Sequence, residues 1–326
     1  MNRTATAGLV STIIPVHNRP ALLREAVASV LAQTHRPIEV IIVDDGSTDE
    51  TRAVADSLAA ANPAEIRVLR GKNAGPGMAR EAGRLAATGE YVQYLDSDDL
   101  LLPHKFEWQI KGLIECVECG VAYGKTAYRR LDSTAERLPW KRTGERIERM
   151  FPSFLVSRWW GTSTPLYRKS LTDAAGPWLA LSSEEDWEYD CRLAATDVRL
   201  FYVPEFVSEE REHAGPRLSL GGAVVPDKLR DRSTAHMKIF EHALRAGIGT
   251  ESSEMQHFAR ELFLLARQCG AAGLASESRS LFLLAKAASG KQRAGGLDFR
   301  VYAIAAGVLG WSLAGFLACT ADRLRK

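Results

Sequence analysis

An open α/β sheet, mostly parallel and with helices on both faces, is the architecture predicted for the first 118 residues. Three observations lead to it. Short β-rich runs alternate with amphipathic helical runs from residue 9 onward, and the links between them are short. Polar and charged residues follow the first, second and fourth β-rich runs directly, and open sheets of this kind bind ligands outside the carboxyl ends of their strands.

The elements follow in order. Leu9–Pro15 is β-rich and stops at a proline. Pro20–Gln33 places Leu22, Leu23, Ala26, Val27, Val30 and Leu31 at helical spacing, with Pro20 suited to the first turn. Ile38–Val43 is the second strand. It runs into Asp44-Asp45-Gly46-Ser47-Thr48-Asp49, where Ser47 or Thr48 is expected to cap a helix reaching about Ala60. Ile66–Leu69 is the third strand, and the loop Asn73-Ala74-Gly75-Pro76-Gly77 opens a helix to Ala87. The fourth strand, Gly89–Leu95, meets Asp96-Ser97-Asp98-Asp99.

That last cluster is the most informative stretch. Three carboxylates within four residues raise one another's pKa and oppose folding unless a cation joins them. A hard divalent ion suits carboxylate oxygens. Mg²⁺ or Mn²⁺ held by one or two of them keeps coordination positions for a diphosphate. The pattern therefore points to a metal-bound nucleotide at the sheet edge, beside His17, Asn18 and Arg19 from the first strand and Asp44 and Asp45 from the second.

The remaining composition bounds the reading. With 326 residues, 46% hydrophobic and 25% charged, the chain has room for one large domain or two ordinary ones with a proper core. A net charge of +2 gives no bulk electrostatic case for nucleic acid. Five cysteines are few and odd in number, which argues against a disulfide framework and for a reducing compartment. Cys116 and Cys119 are expected as two packed cysteines on a helix, since a zinc site needs two further ligands. Met1–Gly8 is polar and short, so no secretory leader is expected and the placement is cytoplasmic.

From 119 to about 220 the pattern is mixed. Val121–Gly124 and Thr164–Arg168 read as short strands, Arg129–Arg146 as a charged loop or lid, Arg149–Trp160 as an amphipathic aromatic segment, and Ser182–Ala195 as a helix with an acidic first turn. His236–Ala246, Met255–Gly270 and Ser276–Ala288 are helical, the last two resembling a helical hairpin. Val301–Cys319 is 19 residues without a charge, and from residue 291 on there are six basic and two acidic side chains. Such a segment can lie on a membrane, span it or pack as a soluble helix. Basic flanks at both ends favour lying on an anionic surface.

Five pieces in order carry a family resemblance: Ser11–Arg19 (STIIPVHNR), Ser29–Thr34 (SVLAQT), Ile42–Asp49 (IVDDGSTD), Asn73–Arg80 (NAGPGMAR) and Asp96–Asp99 (DSDD). Together they resemble a family-2 glycosyltransferase of the GT-A fold, densely over residues 9–110 and thinly to about 220. The resemblance implies a nucleotide-sugar donor, with a UDP-sugar expected because it is common in such proteins, and an inverting transfer to a saccharide or lipid-linked acceptor. It implies that Pro15, His17 and Arg19 line the base and ribose and that Asp45 bonds the base. Arg80 would meet base or diphosphate, or else form a surface ion pair. Asp98 would be the first metal ligand, with Asp96 toward the ribose or a metal water and Asp99 capping the next helix. His213 would approach the metal or diphosphate. Glu185-Asp186-Trp187 matches the family's acidic pair, 88 residues after Asp98 counted to Asp186. An inverting transfer needs a base on the face opposite the leaving diphosphate, and Asp186 is assigned that role with Glu185 beside it and Glu184 third. Trp159 and Trp160 are candidates for a sugar platform or for the core.

The domain plan is then a GT-A domain over 1–225, a helical region over 226–290 and a basic apolar tail helix over 291–326 with membrane contact. A sugar nucleotidyltransferase would need a glycine-rich loop after the first strand, where this chain has His17-Asn18-Arg19-Pro20. A non-catalytic carbohydrate-binding protein on the same fold would be signalled by loss of Asp98 or Asp186, and both are present.

Overall fold

The computed structural model describes residues 5–130, 137–212 and 225–324. They group into two compact units. The first comprises Met1–Arg149, Trp159–Ala180 and Asp197–Gly215, and the second Met150–Arg158, Leu181–Thr196 and Pro216–Lys326. The acidic helix and residues 150–158 thus group with the C-terminal helices, where the sequence reading kept them within 1–225.

Unit one is an α/β layer structure. Its elements are β1 (Thr6–Val16), α1 (Pro20–Leu31), β2 (Ile38–Asp45), α2 (Thr51–Ala61), β3 (Ile66–Gly71), α3 (Pro76–Ala86), β4 (Gly89–Tyr94), β5 (Leu100–Leu101), α4 (Lys105–Glu115), β6 (Cys119–Arg129), β7 (Leu166–Arg168), α5 (Lys169–Ala175) and β8 (Arg199–Arg211). Eight strands form one sheet in the order β3-β2-β1-β4-β7-β6-β8-β5. β1 pairs in parallel with β2 and β4, and β2 with β3. β7 pairs antiparallel with β4 and β6, and β5 with β8, so the half beyond β4 is mixed. The predicted mostly parallel sheet is observed: the β3-β2-β1-β4 half is parallel throughout, and beyond it β6 pairs in parallel with β8.

The parallel half forms because its strands are apolar on both faces. Ile13, Ile14, Val40, Ile41 and Ile42 are fully buried, and each such side chain contributes roughly 1.5–3 kcal/mol on leaving water. α1 starts at Pro20, whose missing N–H costs nothing in a first turn, and it buries Leu23, Ala26, Val27 and Val30 at helical spacing. Register then aligns the strand ends. Val16 lies opposite Asp44, and Leu95 N donates to Ile13 O at 3.0 Å, so the residues after β1, β2 and β4 share one edge.

Two local expectations are corrected, the α2 cap and the helical placement of Cys116 and Cys119, and two stretches are defined further. Neither Ser47 nor Thr48 caps α2: Glu50 occupies the N-cap, while Asp49 Oδ1 accepts from Thr51 N at 2.9 Å. Arg149–Trp160 contains only one 3-10 turn, Ser153–Leu155. β8, unforeseen as a strand, runs 13 residues. Cys116 and Cys119 do not sit on a helix. α4 ends at Glu115, the turn closed by Cys119 N to Cys116 O at 2.9 Å brings their Cα atoms to 5.3 Å, and the two form a disulfide.

Unit two is helical: α6 (Glu185–Ala194), α7 (Pro226–Arg245), α8 (Ser253–Ala271), α9 (Ala275–Ala288), α10 (Gly290–Arg293), α11 (Leu297–Leu309) and α12 (Trp311–Leu324). Ser252 caps α8 by accepting from Met255 N at 3.2 Å. α8 and α9 pack as the expected hairpin around Phe258, Leu262, Leu265, Leu281 and Phe282. The tail is not one helix. Gly310 adopts φ +83°, a left-handed conformation strained for any other residue, and divides α11 from α12. Among the described residues no helix is long and apolar enough to cross a membrane.

Candidate functional site

The first wall of the site joins three loops, at the ends of β1, β2 and β3. Asn18 adopts φ +53°, which lets its Oδ1 accept from Thr48 N at 2.8 Å while its own N donates to Ser47 Oγ at 3.0 Å. Arg19 N donates to Thr51 Oγ1 at 2.9 Å. His17 Nδ1 lies 2.9 Å from Asp45 O, and Asn73 Nδ2 is 3.3 Å from His17 Nε2. Asp45 spends both carboxylate oxygens on the glycine loop, accepting from Ala74 N at 2.8 Å and Gly75 N at 2.9 Å. Asp44 is buried and accepts from Ser47 N at 2.9 Å and Arg52 Nε at 3.2 Å, which fixes the turn. Gly46 is required here: φ is +72°, and a Cβ would fall 2.6 Å from Asn73 N. His17 and Arg19 are thereby held at the rim, while Pro15 is buried inside β1.

The second wall is the acidic cluster. Asp96 Oδ1 meets Arg80 Nη2 at 2.7 Å, and Asp98 Oδ2 meets Arg19 Nη1 at 2.8 Å. Arg80 is buried and lies over the Trp178 ring at 4.9 Å, so it is no surface ion pair. Arg211 Nε donates to the Asp98 carbonyl at 2.7 Å and its Nη1 pairs with Glu25. Asp99 does not cap α4, whose N-cap is His104; its Oδ2 instead accepts from Ser163 Oγ at 2.6 Å. Burial drives the Asp99 carboxyl well above the usual range, and the charges of Glu210, Asp98 and Asp96 push it further.

A polar layer positions Ser163. Gln93 Nε2 donates to Ser163 O at 3.1 Å, and Gln109 Nε2 and Lys105 Nζ donate to Thr164 O at 3.1 and 2.6 Å. Lys105 is fully buried, and burial pulls its ammonium pKa well down. Trp178, Glu210 and Arg211 carry no signal in the sequence reading, although Arg211 stands two residues before His213; Ser163 ends the run Trp159–Ser163, which drew notice for its tryptophans and not for the serine. His213 itself lies outside the described residues.

Whether the cluster suits a divalent ion is decided by its donors. Among the described residues no three His, Cys, Asp or Glu side chains converge as a ready-made metal cage. Mg²⁺ and Mn²⁺ bound with a nucleotide do not require one, since one or two carboxylates plus phosphate and water suffice. Asp96 and Asp98 supply two, each within reach of the sheet edge; Asp99 beside them is raised first by burial and then by the charges of Glu210, Asp98 and Asp96. The donor set fits a hard cation.

The acidic helix of unit two is differently furnished. Glu184, at φ +62°, meets Arg232 Nε at 2.8 Å and His236 at 2.9 Å. Burial would raise its pKa, but the His236 hydrogen bond and the His236 and Arg232 charges hold it below the usual value. Glu188 meets Arg192 at 2.5 Å and His242 at 2.8 Å; again burial raises and these partners prevail, holding it low. Asp190 pairs with Arg158 at 2.6 Å. Asp186 pairs with Arg158 Nη1 at 2.5 Å, yet its side chain remains 30% exposed against 1% for Glu188 and Asp190. Glu185 is buried. In unit one, Trp159 and Trp160 are also buried, Trp160 beside Tyr123 and Trp159 beneath Arg142, which overturns a sugar platform built on them.

Comparison with known proteins places this geometry. The sequence profile of Glycosyl transferase family 2 matches residues 11–171. An uncharacterized glycosyltransferase of Rickettsia felis is 36% identical over 146 residues, 45% of this chain, and the match spans about a quarter (23%) of that relative's length. Among solved structures, S. aureus TarS 1–349 superposes with TM-score 0.66 at 19% identity over 94% of this chain and 88% of that one, and its complex with UDP-GlcNAc with TM-score 0.61 at 17% over 92% of each. The mannosyltransferase PcManGT from Pyrobaculum calidifontis, in complex with GDP-Man and Mn²⁺, gives TM-score 0.51 at 17% identity over 97% and 86%. At these identities the structural likeness speaks for the fold, which is that of the GT-A glycosyltransferases. The strand-end motifs, the sheet and the profile match agree: over residues 11–171 this chain belongs to glycosyl transferase family 2.

Proposed function

We propose that the chain is an inverting glycosyltransferase that moves a sugar from a nucleotide-diphosphate donor, a UDP-sugar, to an acceptor hydroxyl in the synthesis of a surface polysaccharide or glycolipid at the inner face of a membrane. The observation that carries this is the alignment of His17, Arg19, Asp45 and Asp96–Asp99 along one sheet edge, with three carboxylates gathered at its end. The UDP-GlcNAc and UDP complexes of TarS support the choice of nucleotide.

In this reading His17 and Arg19 contact the nucleoside, Asp45 fixes the glycine loop beneath it in place of the base contact expected from the sequence, Arg80 meets the diphosphate, and Asp96 lies toward the ribose or a metal water. Asp98 and Asp96 would hold Mn²⁺ or Mg²⁺, which when bound supplies positive charge to the leaving diphosphate. The acceptor oxygen attacks the anomeric carbon, the bond from that carbon to the diphosphate oxygen breaks, and Asp186 takes the hydroxyl proton with Glu185 beside it. Asp186 pairs with Arg158 as Glu184 pairs with Arg232 and His236, but its side chain is 30% exposed against 21% for Glu184, and that greater exposure supports the choice.

A thermal-shift panel of nucleotide sugars with and without Mn²⁺ tests the reading, because a ligand that binds the native state raises its melting temperature. The expected result is a rise with one UDP-sugar that is larger with the cation. A flat response across the panel would overturn it.

A further inference from the structure

The helical unit contains a cavity that glycosyl transfer leaves unused. Its volume is about 260 Å³, and it is lined by Arg260, Phe263 and Arg267 of α8, Arg293 of α10, and Asp298 and Phe299 of the first turn of α11. Three arginines and one aspartate thus line it, and Asp298 Oδ1 already accepts from Phe299 N at 2.9 Å. Arg267 lies over Phe263 at 5.1 Å and pairs with Asp322 at 2.6 Å, while its Nε is buried without a hydrogen-bond partner. Arg260 and Arg293 are exposed and form no ion pair with the described residues. Guanidiniums over an aromatic floor suit a phosphate group.

Beside this cavity the chain leaves a wide apolar surface open. Leu297, Val301, Ile304 and Val308 recur at helical spacing on α11 and are 57–78% exposed. The opposite face, Phe299, Tyr302 and Ala306, is buried, with Phe263 and Phe299 rings 4.7 Å apart. Leu313, Phe316 and Leu317 of α12 are about half exposed. An open run of this size on consecutive helices signals a binding surface.

Charge and length together select its occupant. Lys291, Arg293 and Arg300 are exposed around the start of α11, and Arg300 flanks the stripe, three residues after Leu297 and four before Ile304. A second copy would oppose this basic rim to itself in a two-fold contact, which like charges disfavour. Helices of 13 and 14 residues, separated at Gly310, fall short of the ~20 needed to span a bilayer. An anionic lipid surface satisfies both features. We propose that α11 and α12 lie in the interface of an anionic membrane, with the Leu297–Val308 stripe among the acyl chains and a lipid phosphate in the arginine cavity. The inference rests on the proposed function only for the membrane placement it explains; donor chemistry does not enter it.

Flotation of the full chain with phosphatidylcholine vesicles, with and without phosphatidylglycerol, tests it. Binding is expected only with phosphatidylglycerol and is expected to weaken with salt. Ile304→Asp with Val308→Asp should abolish it, and Arg260→Ala with Arg293→Ala should weaken it roughly thirty-fold, from about 1 kcal/mol per basic residue near such a surface. All four side chains are exposed, so melting by circular dichroism should match the parent chain and exclude misfolding as the cause. Equal binding to both vesicle types would overturn the headgroup site. Protection by inorganic phosphate without vesicle binding, or a dimer by light scattering that Ile304→Asp dissolves, would overturn the membrane assignment. A nucleotide-sugar thermal shift that persists through any of these failures would leave the proposed transferase reading standing.

Discussion

Two stretches of this chain are dense in carboxylates, Asp96–Asp99 after β4 and Glu184–Asp190 at the start of α6; both hold ion pairs, and they differ at Asp99. On α6 the acids are matched by cations: Glu184 by Arg232 and His236, Glu188 by Arg192 and His242, Asp190 by Arg158. Glu184 and Glu188 are accordingly held below the ordinary carboxylate range. After β4, Arg80 and Arg19 pair with Asp96 and Asp98, but Asp99 is pushed up by burial and by three neighbouring acids. Acid density alone therefore says little. The degree of neutralisation separates a helix stabilised by its own ion pairs from a site where a further positive charge is favoured.

The sharpest way to break the comparison is to remove an acid from each stretch. Asp98→Ala should eliminate the cation-dependent part of nucleotide-sugar binding and lower turnover at least about a hundred-fold, since metal stabilisation of a leaving group is worth several kcal/mol. Undiminished activity would show that the cluster is structural after all. Asp186→Asn should leave donor affinity near that of the parent while turnover falls about 10²- to 10⁴-fold, the usual contribution of a general base. Arg158 keeps Asp190 as a partner in that variant, so the fold should survive. A change in affinity with turnover intact would assign Asp186 to the same structural set as Glu188.

How much of this was legible in the sequence follows from the range of each signal. β1 to β4 and their helices are encoded locally, in apolar runs and helical spacing, and the motifs at the strand ends lie within a few residues of the strands that position them. β8 was missed because its 13 residues mix glutamates, arginines and Pro204 into the apolar pattern, and its pairing with β6 shifts register between Gly124 and Thr126. Ser163 reaches Asp99 across 64 residues of sequence, and no periodicity encodes such a contact. Arg80 was assigned to the ligand or to the surface, and only the packed structure shows it buried on Trp178. The tail was read as one helix because composition carries hydrophobicity, whereas the break depends on the backbone of a single glycine.

The comparison also makes a smaller prediction about acid stability. Glu184 and Glu188 are held low in the folded state, so below the ordinary carboxylate value of 4.5 the unfolded chain binds more protons than the folded one. Their contribution is then fully present above that value and is lost as pH falls through the lowered folded values. Glu188→Gln should remove part of it. The side chain is 1% exposed and ties together Arg192 and His242, and the amide cannot offset their charge, so a loss of about 2 kcal/mol is expected at neutral pH. Denaturant unfolding of both proteins across a pH series checks this: the gap should be widest near neutrality and should close as the pH drops below the carboxylate range. A gap of constant size at every pH would mean that Glu188 acts through its shape, and the electrostatic contrast between the two acidic stretches would lose one of its supports.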